Sequence, residues 1–308
     1  MKERMPVLTL NLALLAMRAL RGVTVQRSLP LAGTVILTDA CNLHCRHCGV
    51  SNIRRRMAEY PEVRRVMERY REQGIGVLFF AGGEPTLWRG EGRGLDDLCR
   101  EAKEMGFALA IVVTNGTVTL NLPHPDLVFL SIDGTPPTHD AIRGETFAAI
   151  MANLDAAPPG LNVCLFAAIN NLNYREVEAL AALAYEHPRI RSISYNLHTP
   201  HPGTEGLALA PDQRREAVAA IIRAIDAGYP VMNLRPALEE QLAGGHHEPC
   251  RQHIVWEEGR WFTCGRCSES PRLCDQWGYL FASEMAWIVR GGPAALLAAA
   301  RTYARSLG

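Results

Sequence analysis

Cys41, Cys45 and Cys48 fall within the stretch TDACNLHCRHCG, residues 38–49. Thiolates suit zinc and iron–sulfur clusters. Structural zinc closes a tetrahedron with four ligands, usually drawn as two pairs. Three thiolates in one tight loop suit a cubane better. A four-iron cluster held by three cysteines keeps one iron without a protein ligand, open to a small molecule. A second group, Cys250, Cys264, Cys267 and Cys274, has the spacing C-x13-C-x2-C-x6-C. By spacing alone it fits zinc or a further iron–sulfur cluster equally, with His246, His247 or His253 as substitute ligands. Cys99 and Cys164 sit in a helical and a strand-like run and read as small core residues.

The chain of 308 residues has nine cysteines, a 48% hydrophobic composition and a formal net charge of zero. That balance argues against bulk nucleic-acid binding, which needs a basic excess. Lys2 and Lys103 are the only lysines; with the abundant alanine this reads as base composition rather than function. The apolar stretch from Pro6 to Leu20 is interrupted by Asn11 and Arg18 and lacks a cleavage site, so no secretory signal is read there. No run reaches the ~18 apolar residues of a membrane span. The expected compartment is the cytoplasm, where clustered cysteines mean metal or catalysis rather than disulfides.

These cysteines need a scaffold, and the pattern supplies one. The runs 33–38, 76–83, 108–116, 127–134, 162–170 and 190–198 are nearly continuous apolar stretches that end at or just before Gly, Asn, Asp or His. Strands buried on both faces of a parallel sheet have that form. Amphipathic stretches at about 57–73, 94–105, 137–156, 173–186 and 211–228 alternate with them. Six strand–helix units with right-handed crossovers predict an α/β fold, a partial (β/α)6 TIM-like barrel. Ligands in such folds gather at the carboxyl ends of the strands. Those ends carry Cys41, GGEP, TNG, SIDG, INN and YNLHTPH. Beyond about residue 235 the pattern breaks down, and an alanine-rich helix over about 293–306 ends the chain.

CNLHCRHC resembles the signature of the radical S-adenosylmethionine (SAM) superfamily, and the likeness extends over about residues 31–235. It departs from the usual motif at His47, where the family places another aromatic ring just before the last cysteine. The resemblance implies that Cys41, Cys45 and Cys48 hold a 4Fe–4S cluster whose open iron chelates the amino and carboxylate groups of SAM. One electron, from a donor such as flavodoxin or ferredoxin, then cleaves SAM to a 5′-deoxyadenosyl radical. That radical takes a hydrogen atom from substrate inside a barrel that keeps water out. The same resemblance assigns SAM contacts to His47, to Gly82, Gly83, Glu84 and Pro85 of the GGEP motif, and to Asn115, Ser131, Asp133, Arg143 and Asn170. The planar fork of Arg143 suits the SAM carboxylate. Tyr195 and His198, with Asn196 and His201 beside them, are the candidates for substrate contact or proton transfer. In this family context the second cysteine group resembles a shortened auxiliary-cluster segment of the SPASM or Twitch type, which implies a second 4Fe–4S cluster.

The expected organisation is an N-terminal amphipathic helical segment (1–30), the radical SAM barrel (31–235), the cysteine-rich segment (236–285) and a C-terminal helix (286–308). The helical segment either packs on the open end of the barrel or makes a peripheral contact with the inner face of the membrane. This arrangement resembles lipid-modifying radical SAM proteins of the adenosylhopane synthase type, and points to a hydrophobic, lipid or isoprenoid substrate. Two other readings stand beside it. One is a radical SAM enzyme acting on a ribosomal peptide, with the extra cluster as electron acceptor. The other is a non-enzymatic iron–sulfur or zinc protein.

Overall fold

A computed structural model describes residues 16–22, 24, 29–244, 252–263 and 280–307. The strands are β1 (Ala32–Thr38), β2 (Val77–Gly82), β3 (Leu109–Thr114), β4 (Leu127–Ser131), β5 (Val163–Ile169), β6 (Ser192–Leu197), β7 (His253–Glu257) and β8 (Arg260–Thr263). Helices α1 (Tyr60–Glu72), α2 (Leu95–Glu104), α3 (Pro136–Arg143), α4 (Phe147–Asp155), α5 (Val177–Glu186), α6 (Pro211–Asp226), α7 (Arg235–Leu242) and α8 (Leu280–Leu307) complete it. Cys250, Cys264, Cys267 and Cys274, with His246 and His247, lie outside the described residues.

One sheet runs β6-β5-β4-β3-β2-β1-β7-β8. Its first seven strands are parallel and β8 is antiparallel to β7. The sheet is open, as six strand–helix units imply. Alternation sorts its side chains into two layers. Val35, Leu37, Leu78, Phe80, Val112 and Leu165 belong to the core under the helices. Ala32, Phe79, Ile111, Phe129 and Cys164 form a separate cluster on the concave side. Tyr70 of α1 lies across β1, where its hydroxyl donates to the Thr34 carbonyl at 2.8 Å and the Ile254 carbonyl at 3.1 Å. Gly33 makes room for that ring, since a Cβ there would stand 2.7 Å from it.

The amphipathic stretch at 137–156 is two helices. Gly144 adopts φ +88°, which only glycine tolerates easily, and ends α3. The Asp140 carboxylate then accepts from the Thr146 and Phe147 amides and starts α4. The segment read as irregular and cysteine-rich contributes β7 and β8 to the barrel's own sheet. Its hairpin turns at Glu258 and Gly259, both with positive φ, between two alternating runs.

The final helix begins at Leu280 rather than near 293. It kinks at Gly292, whose φ/ψ is 65°/−151°, ahead of Pro293. Its first turn reaches the edge strand β6 and, near the opposite edge, β7: the Leu280 amide donates to Asn196 of β6 at 3.0 Å, and the Phe281 ring meets His253 of β7 edge-on at 6.0 Å. One turn on, Glu284 is fully buried and accepts from Asn233 Nδ2 at 2.9 Å, the Leu234 amide at 3.2 Å and the Tyr303 hydroxyl at 2.7 Å. Burial pushes its carboxyl above the ordinary value, and these donors only partly offset that. A carboxyl raised on folding contributes stability below its unfolded value and loses it as pH rises through the folded one. Glu284→Gln is therefore expected to match the native chain in urea melts at pH 4 and to exceed it at pH 8.

Residues 16–22 are helical and belong to the foot of the barrel. Arg18 Nε donates to the Pro30 carbonyl at 3.1 Å, and the same guanidinium reaches the Gln73 carbonyl. The rest of the expected N-terminal helix lies outside the described residues. No helix among those described is long and apolar enough to cross a membrane.

Candidate active site

The cysteine loop leaves β1 at Thr38 and returns through residues 52–57. Asp39 holds the return. Its carboxylate accepts from the amides of Arg54 at 2.6 Å, Arg55 at 3.1 Å and Arg56 at 2.6 Å, and its carbonyl accepts from the Asn52 amide at 2.6 Å. Burial pushes its pKa up, but the amide bonds outweigh burial and hold the carboxyl below its ordinary range. Asn52, at φ 58°, locks the start of the loop. Its Oδ1 accepts from the Cys41 amide and its Nδ2 donates to the Leu43 carbonyl, both at 2.9 Å. Neither residue was apparent from local pattern, because the partners of Asp39 lie 15 to 17 positions away.

The GGEP motif faces this loop from β2. The Gly83 amide donates to the Thr38 carbonyl at 2.7 Å and the Glu84 amide to the Ala40 carbonyl at 2.9 Å. A Cβ on Gly82 would stand 2.2 Å from the Thr38 oxygen, and one on Gly83 2.4 Å from the Ala40 oxygen. These glycines thus let two strand ends touch. Gly83→Ala is expected to cost about 3 kcal/mol or more, because backbone on both sides must move; chemical denaturation of the metal-free protein measures it. Glu84 is fully buried, and its carboxylate is already engaged by protein donors. Oε1 accepts from the Thr86 amide at 3.0 Å, the Thr86 hydroxyl at 2.6 Å and the Thr114 hydroxyl at 2.7 Å. Oε2 accepts from the Asn115 amide at 2.8 Å. Pro85 is buried and opens a short 3-10 turn. Asn115, so placed, donates to Asn42 Oδ1 at 3.0 Å and points the same amide at Cys41 Sγ, 3.7 Å away.

A second group of polar residues lies at the ends of β4 to β6. Asp133 is fully buried and accepts from Arg143 Nε at 2.5 Å and from the Ala168 amide at 2.8 Å. Burial opposes its charge, yet Arg143, His47 and the hydrogen bonds hold its carboxyl below the ordinary range. Nδ2 of Asn173, a residue overlooked beside Asn170 in INNLN, donates to the Asp133 carbonyl at 2.6 Å. His139 Nδ1 accepts from the Asp133 amide at 3.2 Å, and burial pushes that imidazole down to about 4. The charge of Arg143 reaches Cys45 and Cys48. The Arg46 amide, donating to the Ile142 carbonyl at 2.9 Å, ties the cysteine loop to the same helix.

His47 bridges the two halves. Its side chain is 12% exposed, its Nδ1 lies 3.7 Å from Asp133 Oδ2, and that nitrogen is buried with no hydrogen-bond partner among the described residues. Burial pushes the imidazole down to about 4. His198 faces it, with ring centroids 6.4 Å apart and nearly perpendicular. Ser131 is buried at the end of β4. Asn170 instead closes its own turn, accepting from the Leu172 amide at 2.9 Å. Tyr195 leaves the candidate set. Strand alternation sends it to the helix side, where its hydroxyl donates to the Val177 carbonyl at 2.7 Å.

A model of the radical SAM superfamily matches residues 35–184, from β1 through most of α5. The chain carries a radical SAM domain. Among solved structures it is similar to Streptococcus suis SuiB bound to S-adenosylmethionine, at 16% identity and a TM-score of 0.53, covering 66% of this chain and 50% of that one. It is also similar to anSMEcpe with bound AdoMet, at 17% identity and a TM-score of 0.56 over 87% of this chain and 80% of that one. HydG, a maturase of the FeFe hydrogenase, matches at 15% identity and a TM-score of 0.51 over 78% and 60%. At these identities the likeness is one of fold. The chain spans about half the length of the SuiB structures it matches. No curated protein matches it.

A radical SAM domain implies a 4Fe–4S cluster and SAM, and the residues present fit both. The three loop cysteines are free thiols. Cys41 Sγ lies 3.4 Å from the Leu43 amide and 3.7 Å from Asn115 Nδ2, donors that stabilise a metal-bound thiolate. Burial pushes the metal-free Cys45 thiol up to about 11, so metal uptake must displace its proton. The unpartnered Nδ1 of His47 and the charged fork of Arg143 flank the loop on its barrel side, where a polar ligand would bind.

Proposed function

We propose that this enzyme forms a carbon-centred radical on a hydrophobic substrate held in the barrel. The bound cluster and SAM supply the 5′-deoxyadenosyl radical, and the chain binds, orients and excludes water. The observation that carries this reading is the concave face of the sheet. Ile36, Val113, Phe166, Ala168 and Ser194 are each only half-buried there, between fully buried neighbours, and Ala81 is half-buried beside them. Directly beneath lie Phe79 and Phe129, stacked within 5° at 6.4 Å, with Phe129 5.0 Å from Phe166. The half-buried positions carry one hydroxyl, and the buried Thr34 hydroxyl and His253 ring are paired with each other at 2.7 Å; such a lining suits a hydrocarbon better than a peptide backbone, whose amides would go unpaired.

In this assignment Cys41, Cys45 and Cys48 hold the cluster and Arg143, positioned by Asp133, meets the SAM carboxylate. His47, Asn115 and Ser131 complete the SAM site. Gly82, Gly83, Glu84 and Pro85 act one step back, by bringing β1, β2 and β3 together. Asn170 shapes the next strand end, and His198, facing His47, is the candidate for proton transfer. Cys250, Cys264, Cys267 and Cys274 are proposed to hold a second 4Fe–4S cluster. Met17 and Leu20, 58% and 44% exposed, are the described residues of the N-terminal segment that a membrane surface would meet.

A peptide substrate is the second reading. SuiB has been solved with precursor peptide SuiA and anSMEcpe with the Cp18Cys peptide. Anaerobically reconstituted protein, incubated with SAM and dithionite, tests both. Release of 5′-deoxyadenosine is expected, stimulated by isoprenoid lipid and unaffected by peptide. Stimulation by peptide alone would overturn the lipid reading, and no 5′-deoxyadenosine at all would overturn the enzymatic one.

A further inference from the structure

The return segment of the cysteine loop shows an unusual surface. Ile53 is 62% exposed and Met57 39%, and between them Arg54, Arg55 and Arg56 all point to solvent. Arg46, on the cysteine loop itself, is exposed as well. Two residues of this segment, Asn52 and Arg55, hold φ of 58° and 55°. For arginine that conformation is strained, and the buried Asp39 carboxylate keeps it in place. Local acids only partly balance the charge: Arg54 pairs with Glu258 at 2.9 Å and Arg56 with Glu62 at 3.5 Å, while Arg55 donates to Asn52 at 2.9 Å. Exposed pairs of this kind are weak and exchange readily.

The position gives the patch its meaning. SAM-facing residues occupy the β3 to β6 side of the cysteine loop. The arginine segment occupies the opposite side, against the end of β7, and shares hydrogen bonds with Cys41 and Leu43 through Asn52. A cluster on these cysteines takes its electron from outside the chain. Arginine mixed with exposed aliphatic side chains is also the composition of a protein-binding surface.

We propose that Ile53–Met57, with Arg46, is the docking surface for a small acidic one-electron carrier. Acidic side chains on the carrier meet Arg54, Arg55 and Arg56, while Ile53 and Met57 provide the apolar contact. One electron passes from the carrier, which is oxidised, to the cluster on the adjoining cysteines, which is reduced. The segment acts by steering association, and complementary charge of this kind raises the rate of encounter.

This inference rests on the proposed radical chemistry, and its test separates the two. The variant is Arg54→Ser, Arg55→Asn, Arg56→Ser, with asparagine chosen for its tolerance of positive φ. Reduced flavodoxin serves as the probe. Stopped-flow bleaching of the cluster is expected to slow about tenfold or more at low salt and to lose most of its salt dependence. Calorimetric binding of oxidised flavodoxin is expected to weaken in parallel. Dithionite-driven 5′-deoxyadenosine release is expected to stay within about twofold of the native enzyme, since a small reductant needs no docking surface. Ile53→Ser, a milder change, is expected to weaken binding without altering the salt dependence. Unchanged flavodoxin kinetics would overturn the assignment, as would an equal fall with dithionite, or loss of peptide binding or self-association in place of carrier binding. A native enzyme that reduces normally yet releases no 5′-deoxyadenosine would instead sink the radical reading.

Discussion

Alanine at Cys45 is expected to remove about four irons per chain from anaerobically reconstituted protein and to bring 5′-deoxyadenosine release down to the assay background. In the proposed assignment all three thiolates would be needed to hold the cluster, so two would be insufficient to retain it. The same change is expected to cost the metal-free fold no more than about 1 kcal/mol, because the side chain is small and half-buried. The loop keeps its path without the thiol. Asp39 and Asn52 fix it through the main chain, and Gly83 and Glu84 fix its first residues. Iron analysis, the visible spectrum and a urea melt of the metal-free variant therefore separate a ligand from a structural residue. Full iron retention in Cys45→Ala would show that the cluster is not held there.

The second large effect is expected at Asp133. Removing its carboxylate leaves Arg143, whose side chain is 10% exposed, as a buried charge without its counter-ion. Losing one partner of such a pair costs about 3–5 kcal/mol, even where the pair itself contributes little net stability. Asp133→Ala is expected to lose that much in denaturant melts, and the double variant with Arg143→Ala to recover much of it. Asp133→Asn keeps an acceptor for the Ala168 amide but drops the charge, so it should melt closer to the native protein while binding SAM more weakly. Equilibrium dialysis with SAM checks the difference. The pH dependence follows from the sign of the shift. A carboxyl lowered on folding stabilises above its unfolded value, and that contribution disappears as pH falls through the lowered one. The native protein should therefore lose stability on acidification below about pH 4, and Asp133→Asn should lose less.

The barrel was legible because its strands are apolar on both faces. GTVILT, GVLFFAGG and LVFLSIDG read as unbroken apolar runs with polar ends, and the observed strands start and stop within a few residues of the expected positions. Two features were less visible. HIVWEEGRWFT alternates weakly, because Trp256 and Trp261 pack under the helices while His253 lies on the concave side, so the run does not present one polar face. At the C-terminus Pro293 marks a kink between two helical stretches rather than a start. Within the site, residue types were easier to read than roles. The glycines of GGEP announce a close approach, but sequence does not say that the Thr38 and Ala40 backbone is what approaches. Tyr195 sits one position from Asn196, and strand alternation alone puts its hydroxyl on the wrong side of the sheet.

The anchoring of the arginine segment has an evolutionary implication. Asp39 grips it through backbone amides alone, and a backbone amide is common to every residue but proline. The outward side chains at 54 and 56 can therefore be rewritten by mutation while the metal-binding turn beneath keeps its shape. If the proposed docking surface is correct, related chains would be free to exchange one redox partner for another there without rebuilding the cysteine loop.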